Sequence, residues 1–185
     1  MSTDRKLSVF GIVLTVLGLI LGGLVLESRP TIALGTPSDP KNILTTEVVV
    51  SNDGALALED VDIAVFIRSL TWPTNNRIDG DIGTTYQPPS REMAIGDRKT
   101  IQLAPFLTLS SAIFTSADIG LLVCYRPIFV PSWIWPIHPR VFRFDSITQS
   151  DGYTRLRQQP DDGKLLKEYA QLLAQKGQKP CQREN

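Results

Sequence analysis

A chain of 185 residues has room for one ordinary domain with short attachments. Its 19 basic and 19 acidic side chains cancel, which excludes a nucleic-acid surface built on net positive charge. With 1 His and 2 Cys it also falls short of a structural zinc site, and of the two His, one Cys and Met of a blue-copper site.

Residues 1–7 read as a short cytoplasmic tail containing Arg5 and Lys6. Residues 8–26, SVFGIVLTVLGLILGGLVL, carry no charge, and 13 of the 19 are Leu, Ile, Val or Phe. As a helix this run is about 28 Å long, close to the ~30 Å hydrocarbon core of a bilayer. Its apolar residues favour insertion by roughly 4–8 kcal/mol, less a part for four glycines. The rival is a cleaved signal peptide. The run is longer than the usual apolar core of such a peptide, no small-x-small site follows, and no Cys follows to take a lipid. A single uncleaved transmembrane helix over 8–26 is therefore the expectation. Arg5 and Lys6 orient it with the N-terminus in the cytoplasm, in the inner membrane. Residues 30–185 are then periplasmic. Removing Arg5, Lys6 and Arg29 from the basic set, and Asp4 and Glu27 from the acidic set, leaves that segment 16 basic and 17 acidic residues. Gly11, Thr15, Gly18 and Gly22 fall within about 60° of one another on a helix. Such a small-residue stripe admits a second membrane helix at close range, although glycine is common in membrane helices in any case.

Residues 27–42, with three prolines, read as a stalk that has room for an edge strand at 31–35. The run 43–51 leads into the turn Asn52-Asp53-Gly54. Val61, Ile63, Val65 and Ile67 alternate with Asp62, Ala64, Phe66 and Arg68, which is a half-buried strand. Residues 71–91, rich in Gly, Pro and Asn, read as a long loop or a weak hairpin near 84–87. Gly96-Asp97 turns into a strand at 99–103. Residues 107–115 suit a strand or a helical turn. Ile119, Leu121, Val123 and Tyr125 alternate again, and a last strand spans 140–147. About seven short strands with no helix between them form a sandwich over 43–150. Leu165, Tyr169, Leu172 and Leu173 then fall at helical spacing, capped by Asp161 or Asp162 and ended by Gly177 and Pro180. They predict an amphipathic helix within 160–178, followed by a tail at 179–185.

The expected fold is an N-terminal single transmembrane helix, an all-β immunoglobulin-like or fibronectin-type sandwich, and a short C-terminal amphipathic helix. The pattern Asn52-x-Gly54-x3-Leu58-x-Asp60-Val61, and the segment Ala117-Asp118-Ile119 through Tyr125-Arg126-Pro127, resemble bacterial single-pass membrane proteins with an extracytoplasmic immunoglobulin-like sandwich. The resemblance covers about 100 residues. It implies fold and topology, and it carries no catalytic residue.

Cys124, in a core strand, and Cys181, in the tail, either form a disulfide or stand as separate thiols. Joined, they close a loop worth roughly 4 kcal/mol in the chain-entropy model. His138 lies in Pro136-Ile137-His138-Pro139, with no G-x-S-x-G to support a serine hydrolase. Asp79-Gly80-Asp81-Ile82-Gly83 lacks the third acidic ligand and closing Glu of a calcium loop. No C-x-C or C-x-x-C suits copper delivery. No metal, cofactor or catalytic residue is expected.

Residues 125–144 hold 6 of the 14 aromatic residues and 4 of the 13 prolines. Phe129, Trp133 and Trp135 stand between Pro127, Pro131, Pro136 and Pro139, a stiff extended loop. Either the rings meet a partner, or they cover an open end of their own sandwich. The functional expectation is a non-enzymatic accessory or scaffolding subunit. It would be held by one membrane span and docked on other membrane protein subunits, for example in a respiratory, photosynthetic or envelope assembly. The alternative is a tethered binding module for a small ligand or envelope polymer.

Overall fold

The computed structural model describes residues 11–20, 22–23, 29–39, 41–74, 76–86 (backbone alone for 78–86), 91–103, 114–133, 136–150, 152–160, 163–175 and 181. Their strands form two antiparallel sheets. β1 (Pro30–Pro37), β2 (Thr46–Asn52) and β5 (Arg98–Gln102) make a three-stranded sheet in the order β1-β2-β5. β3 (Leu58–Thr71), β4 (Arg77–Tyr86), β6 (Ser116–Pro127), β7 (His138–Thr148) and β8 (Thr154–Gln159) make a five-stranded sheet in the order β4-β3-β6-β7-β8. One helix, Lys164–Gln175, follows.

The long central strands show how the layers are built. Successive side chains of a strand point to opposite faces. Val61, Ile63, Val65 and Ile67 of β3 are buried with Ile119, Leu121, Val123 and Tyr125 of β6, Phe142 and Phe144 of β7, and Val48, Val50 and Ile101 of the other sheet. That is the core between the sheets. The intervening Ala64, Phe66, Leu122 and Cys124 form a second cluster with Leu165 and Tyr169 of the helix. β3 is therefore buried on both faces where alternation alone predicts one, because the terminal helix lies over the outer face.

Phe66 shows the fit. Its cross-strand partners are Gly83 on one side and Gly120 on the other, and its ring meets Tyr169 edge to face at 5.6 Å. A Cβ on Gly120 would fall 2.5 Å from Leu165 Cδ2 and 3.1 Å from its Cγ, so the glycine is the slot that admits the helix. Arg68 ties the helix laterally. It reaches Glu168 at 3.1 Å and Asp118 at 3.4 Å, and Asp118 also takes Arg143 at 3.0 Å. These pairs are about a third exposed and add little individually. Cys124 and Cys181 form a disulfide with Cα atoms 5.5 Å apart, which fastens the end of the chain to the same face.

Three expectations need correction. The edge strand expected at 31–35 is present as β1 and is longer, Pro30–Pro37, so the stalk over 27–42 shrinks; Thr31–Leu34 pair with Val48–Ser51 of β2. Residues 77–86, expected as loop or weak hairpin, form β4, which pairs with β3 from Thr71↔Arg77 to Ile63↔Tyr86, Gly83 standing opposite the bulky Phe66. The sandwich does not stop at 150, because β8 pairs with β7 through Gln159. At the start of β2, residues 43–45 form a 3-10 turn before the strand begins. Residues 104–113, which hold most of the predicted 107–115 element, lie outside the described residues. So do the predicted caps Asp161 and Asp162 and the stop residues Gly177 and Pro180.

Residues 11–20 and 22–23 are helical, as the apolar run predicts, while 8–10, 21 and 24–26 lie outside the described residues. No helix among the described residues is long and apolar enough to cross a membrane.

Two outcomes test this packing. Gly120→Ala should destabilise the domain by about 1–3 kcal/mol in denaturant unfolding. In a Leu165→Ala background, which itself costs about 2–5 kcal/mol, most of the extra cost should vanish. Additive losses would mean that glycine and helix are not coupled. Reduction of Cys124–Cys181 should lower stability by up to about 4 kcal/mol, with the helix the first segment to gain amide exchange.

Candidate docking surface at the proximal end

The connection between β2 and β3 is short, so the end of β2 and the start of β3 lie at one end of the sandwich. β1 begins there too, Pro30 opposite Asn52, and this is the proximal end. A buried asparagine knits it. Asn52 Nδ2 donates to the carbonyls of Leu56, Met93 and Ala94 at 2.9, 3.0 and 3.2 Å. Its Oδ1 accepts from Gly54 N at 3.2 Å. The turn residues Asn52 and Gly54 thus join the β2–β3 connection to the turn before β5.

The Pro-rich loop between β6 and β7 stands at this same end. Arg140, near the start of β7, donates from Nη1 to the Pro30 carbonyl at 2.6 Å and stacks over Phe142 at 5.2 Å. Ile128 N donates to Ala57 O at 2.9 Å. Arg126 is the main clamp. Its Nη1 donates to Val130 O at 3.1 Å, while Nη2 reaches Glu59 at 3.0 Å and Asp60 at 3.1 Å. Asp60 has φ +54° and sits where the β3–β6 register shifts between Glu59 and Asp62, so a bulge brings two consecutive carboxylates to one guanidinium. The sequence offers no local sign of this clamp. Its only trace is that Asp60 and Arg126 both belong to the quoted resemblance patterns.

Above the clamp the loop presents its rings to solvent. Phe129 is 90% exposed and Trp133 83% exposed. Phe129 also has φ +67°, a left-handed conformation that costs a large side chain of order 1–3 kcal/mol. A ring that covered its own sandwich would be buried; these two are not. Trp135, the third predicted interface residue, lies outside the described residues. Burial raises the Tyr125 pKa against the opposing effect of Arg140 and Arg29, and burial lowers that of Arg140 with help from Arg29. Arg140 still stays cationic at any physiological pH.

The other predicted residues fall elsewhere. Gly11, Thr15, Gly18 and Gly22 lie on the N-terminal helical residues, where a Cβ on any of the three glycines, or on Gly23, meets nothing within 4 Å. Thr15 Oγ1 is occupied by the Gly11 carbonyl at 2.9 Å. His138 opens β7 opposite Tyr125, where strand pairing fixes its backbone. Asp79–Gly83 lie within β4, where Asp79, Ile82 and Gly83 pair with β3. No group of three or more His, Cys, Asp or Glu placed to hold a metal occurs among the described residues. Two open-sided grooves of about 410 Å³ flank β8, one toward Leu34 and Tyr153, the other toward Arg140 and Leu166. No family model matches the chain, and neither a curated protein nor a solved structure matches it.

Phe129→Gly should leave the melting temperature unchanged or raise it, by up to about 1 kcal/mol of stability, since relief of strain outweighs glycine's unfolded-state entropy. Trp133→Ala should change stability by less than about 0.5 kcal/mol. A loss of several kcal/mol in either variant would show that the ring packs on its own domain. Arg126→Met, which strands two carboxylates, should cost about 1–3 kcal/mol, between the values for exposed and buried pairs.

Proposed function

We propose that the protein is a non-enzymatic, membrane-anchored accessory subunit. In this reading residues 8–26 cross the inner membrane once with the N-terminus in the cytoplasm, and the sandwich docks from the periplasmic side on a larger membrane protein assembly. The observation that carries the reading is the exposure of Phe129 and Trp133 on a clamped, strained loop at the end of the sandwich where the chain arrives from the apolar run. A docking surface at that end works only close to the membrane plane, which suits a subunit of a membrane assembly.

The finer fold assignment belongs to the same proposal. First, second and fifth strands face a sheet whose centre is third, sixth and seventh, the A-B-E against C-F-G arrangement of immunoglobulin-like and fibronectin-type sandwiches. β4 extends the second sheet beside β3, and β8 is an addition beyond β7. The uncharged length of 8–26 supports the span. The stripe Gly11, Thr15, Gly18 and Gly22 suits close packing on a helix of the assembly.

The full chain should resist alkaline carbonate extraction, and protease added to intact spheroplasts should remove residues 30–185. In mild detergent it should co-migrate with a large complex. Gly18→Ile and Gly22→Ile should release it from that complex without impairing insertion, whereas Gly23→Ile, about 100° around the helix, should not. Migration alone under every mild condition, or equal effects at all three glycines, would defeat the accessory reading.

A further inference from the structure

We propose that Phe129 and Trp133 seat in the headgroup zone of the bilayer itself, so that the sandwich rests on the membrane by its proximal end. The inference rests on the membrane-anchored reading above and names what that end touches first.

The tether sets the reach. Leu26 is the last apolar residue of the run and Pro30 the first of β1. Four residue steps span at most about 14 Å of extended chain. The polar zone on each side of a bilayer is about 5–8 Å deep. The start of β1 is therefore confined to the neighbourhood of that zone. Pro30 is bonded to Arg140, at the base of the Pro-rich loop, so the loop shares the confinement.

The chemistry of the loop fits the zone. Trp is enriched at membrane–water interfaces, where an apolar ring with one polar edge is accommodated. Phe129 and Trp133 are exposed, and so are Pro131 and Ser132 between them. Proline brings no N–H donor into a region poor in water. Arg29 and Arg140 place two guanidinium groups at the same end. Among the described residues Arg140 meets a backbone carbonyl and an aromatic ring and no carboxylate, which suits the level of lipid phosphates. The Arg126 clamp and the left-handed Phe129 keep the rings projecting.

The test uses the full chain in protein-free phosphatidylcholine–phosphatidylglycerol vesicles. Trp72→Phe with Trp135→Phe leaves Trp133 as the one fluorophore. A second reporter replaces all three tryptophans by Phe and carries Phe129→Trp, so that misfolding of either variant does not decide the result. Tyr153→Trp in the same Trp-free background reports on the opposite end of the sandwich, beside the β7–β8 turn. The expected result is that both loop reporters are quenched by phosphatidylcholine brominated near the headgroup. Phosphatidylcholine brominated near the bilayer centre should quench them less, and the Tyr153→Trp reporter should not be quenched at all. Absence of quenching in a carbonate-resistant chain would overturn the inference while leaving the span intact. Shielding of the loop from iodide only after membrane protein extract is added would also overturn it, in favour of a protein contact. Extraction of the chain by carbonate would defeat the span and this inference together.

Discussion

Two strands of this protein are buried on both faces, and most of the remaining architecture answers that constraint. β3 and β6 lie at the centre of the five-stranded sheet, with apolar side chains at odd and even positions alike. A single opposing sheet covers only one of these faces. The other would leave Ala64, Phe66, Leu122 and Cys124 in water, at a cost of roughly 25 cal/mol for each Å² of apolar surface. The helix Lys164–Gln175 removes that cost. It can approach because Gly120 lacks a side chain, and it is kept in place by Arg68–Glu168 and by the disulfide to Cys181. Glycine, ion pair and disulfide serve one purpose: a short amphipathic helix that is marginal alone becomes a fixed part of the core.

The proximal end obeys a different logic. There the molecule gathers polar and strained groups rather than apolar ones. The Asn52 side-chain amide lies within hydrogen-bond distance of the carbonyls of Leu56, Met93 and Ala94, which ties the converging loops together. Arg126 reads the bulge at Asp60 and holds the loop that follows β6. Phe129 retains an unfavourable backbone conformation while it stands 90% exposed. In the proposed reading that strain is retained for a contact outside the fold.

These two regions give the functional reading its shape. One end of the sandwich receives the chain from an apolar segment and exposes aromatic rings beside it. The outer face, a natural place for a sheet to meet a partner, is already occupied by the protein's own helix. The proximal end is where Phe129 and Trp133 project, and in the proposed reading that end faces the membrane.

The sequence by itself determined the local, periodic features. Alternation marked β3, β6 and the inner residues of β7; helical spacing marked Leu165 and Tyr169; the uncharged run marked 8–26; and the crowd of proline and aromatics marked 127–139. Each depends on residues a few positions apart, where side-chain direction follows directly from backbone geometry. The tertiary structure alone decided the rest. That Arg77–Tyr86 is a strand, and that β1 runs the whole of Pro30–Pro37, rests on pairing with the neighbouring strands β3 and β2, which their own glycines and prolines do not reveal. That Ala64 and Phe66 are core depends on a helix that comes only at the far end of the chain. That Glu59, Asp60 and Arg126 form a clamp depends on the register of β3 against β6, with its bulge. Whether the rings of Phe129 and Trp133 point in or out was open in the sequence for the same reason: an aromatic residue favours burial anywhere, and only the completed packing shows which rings the core has no room for.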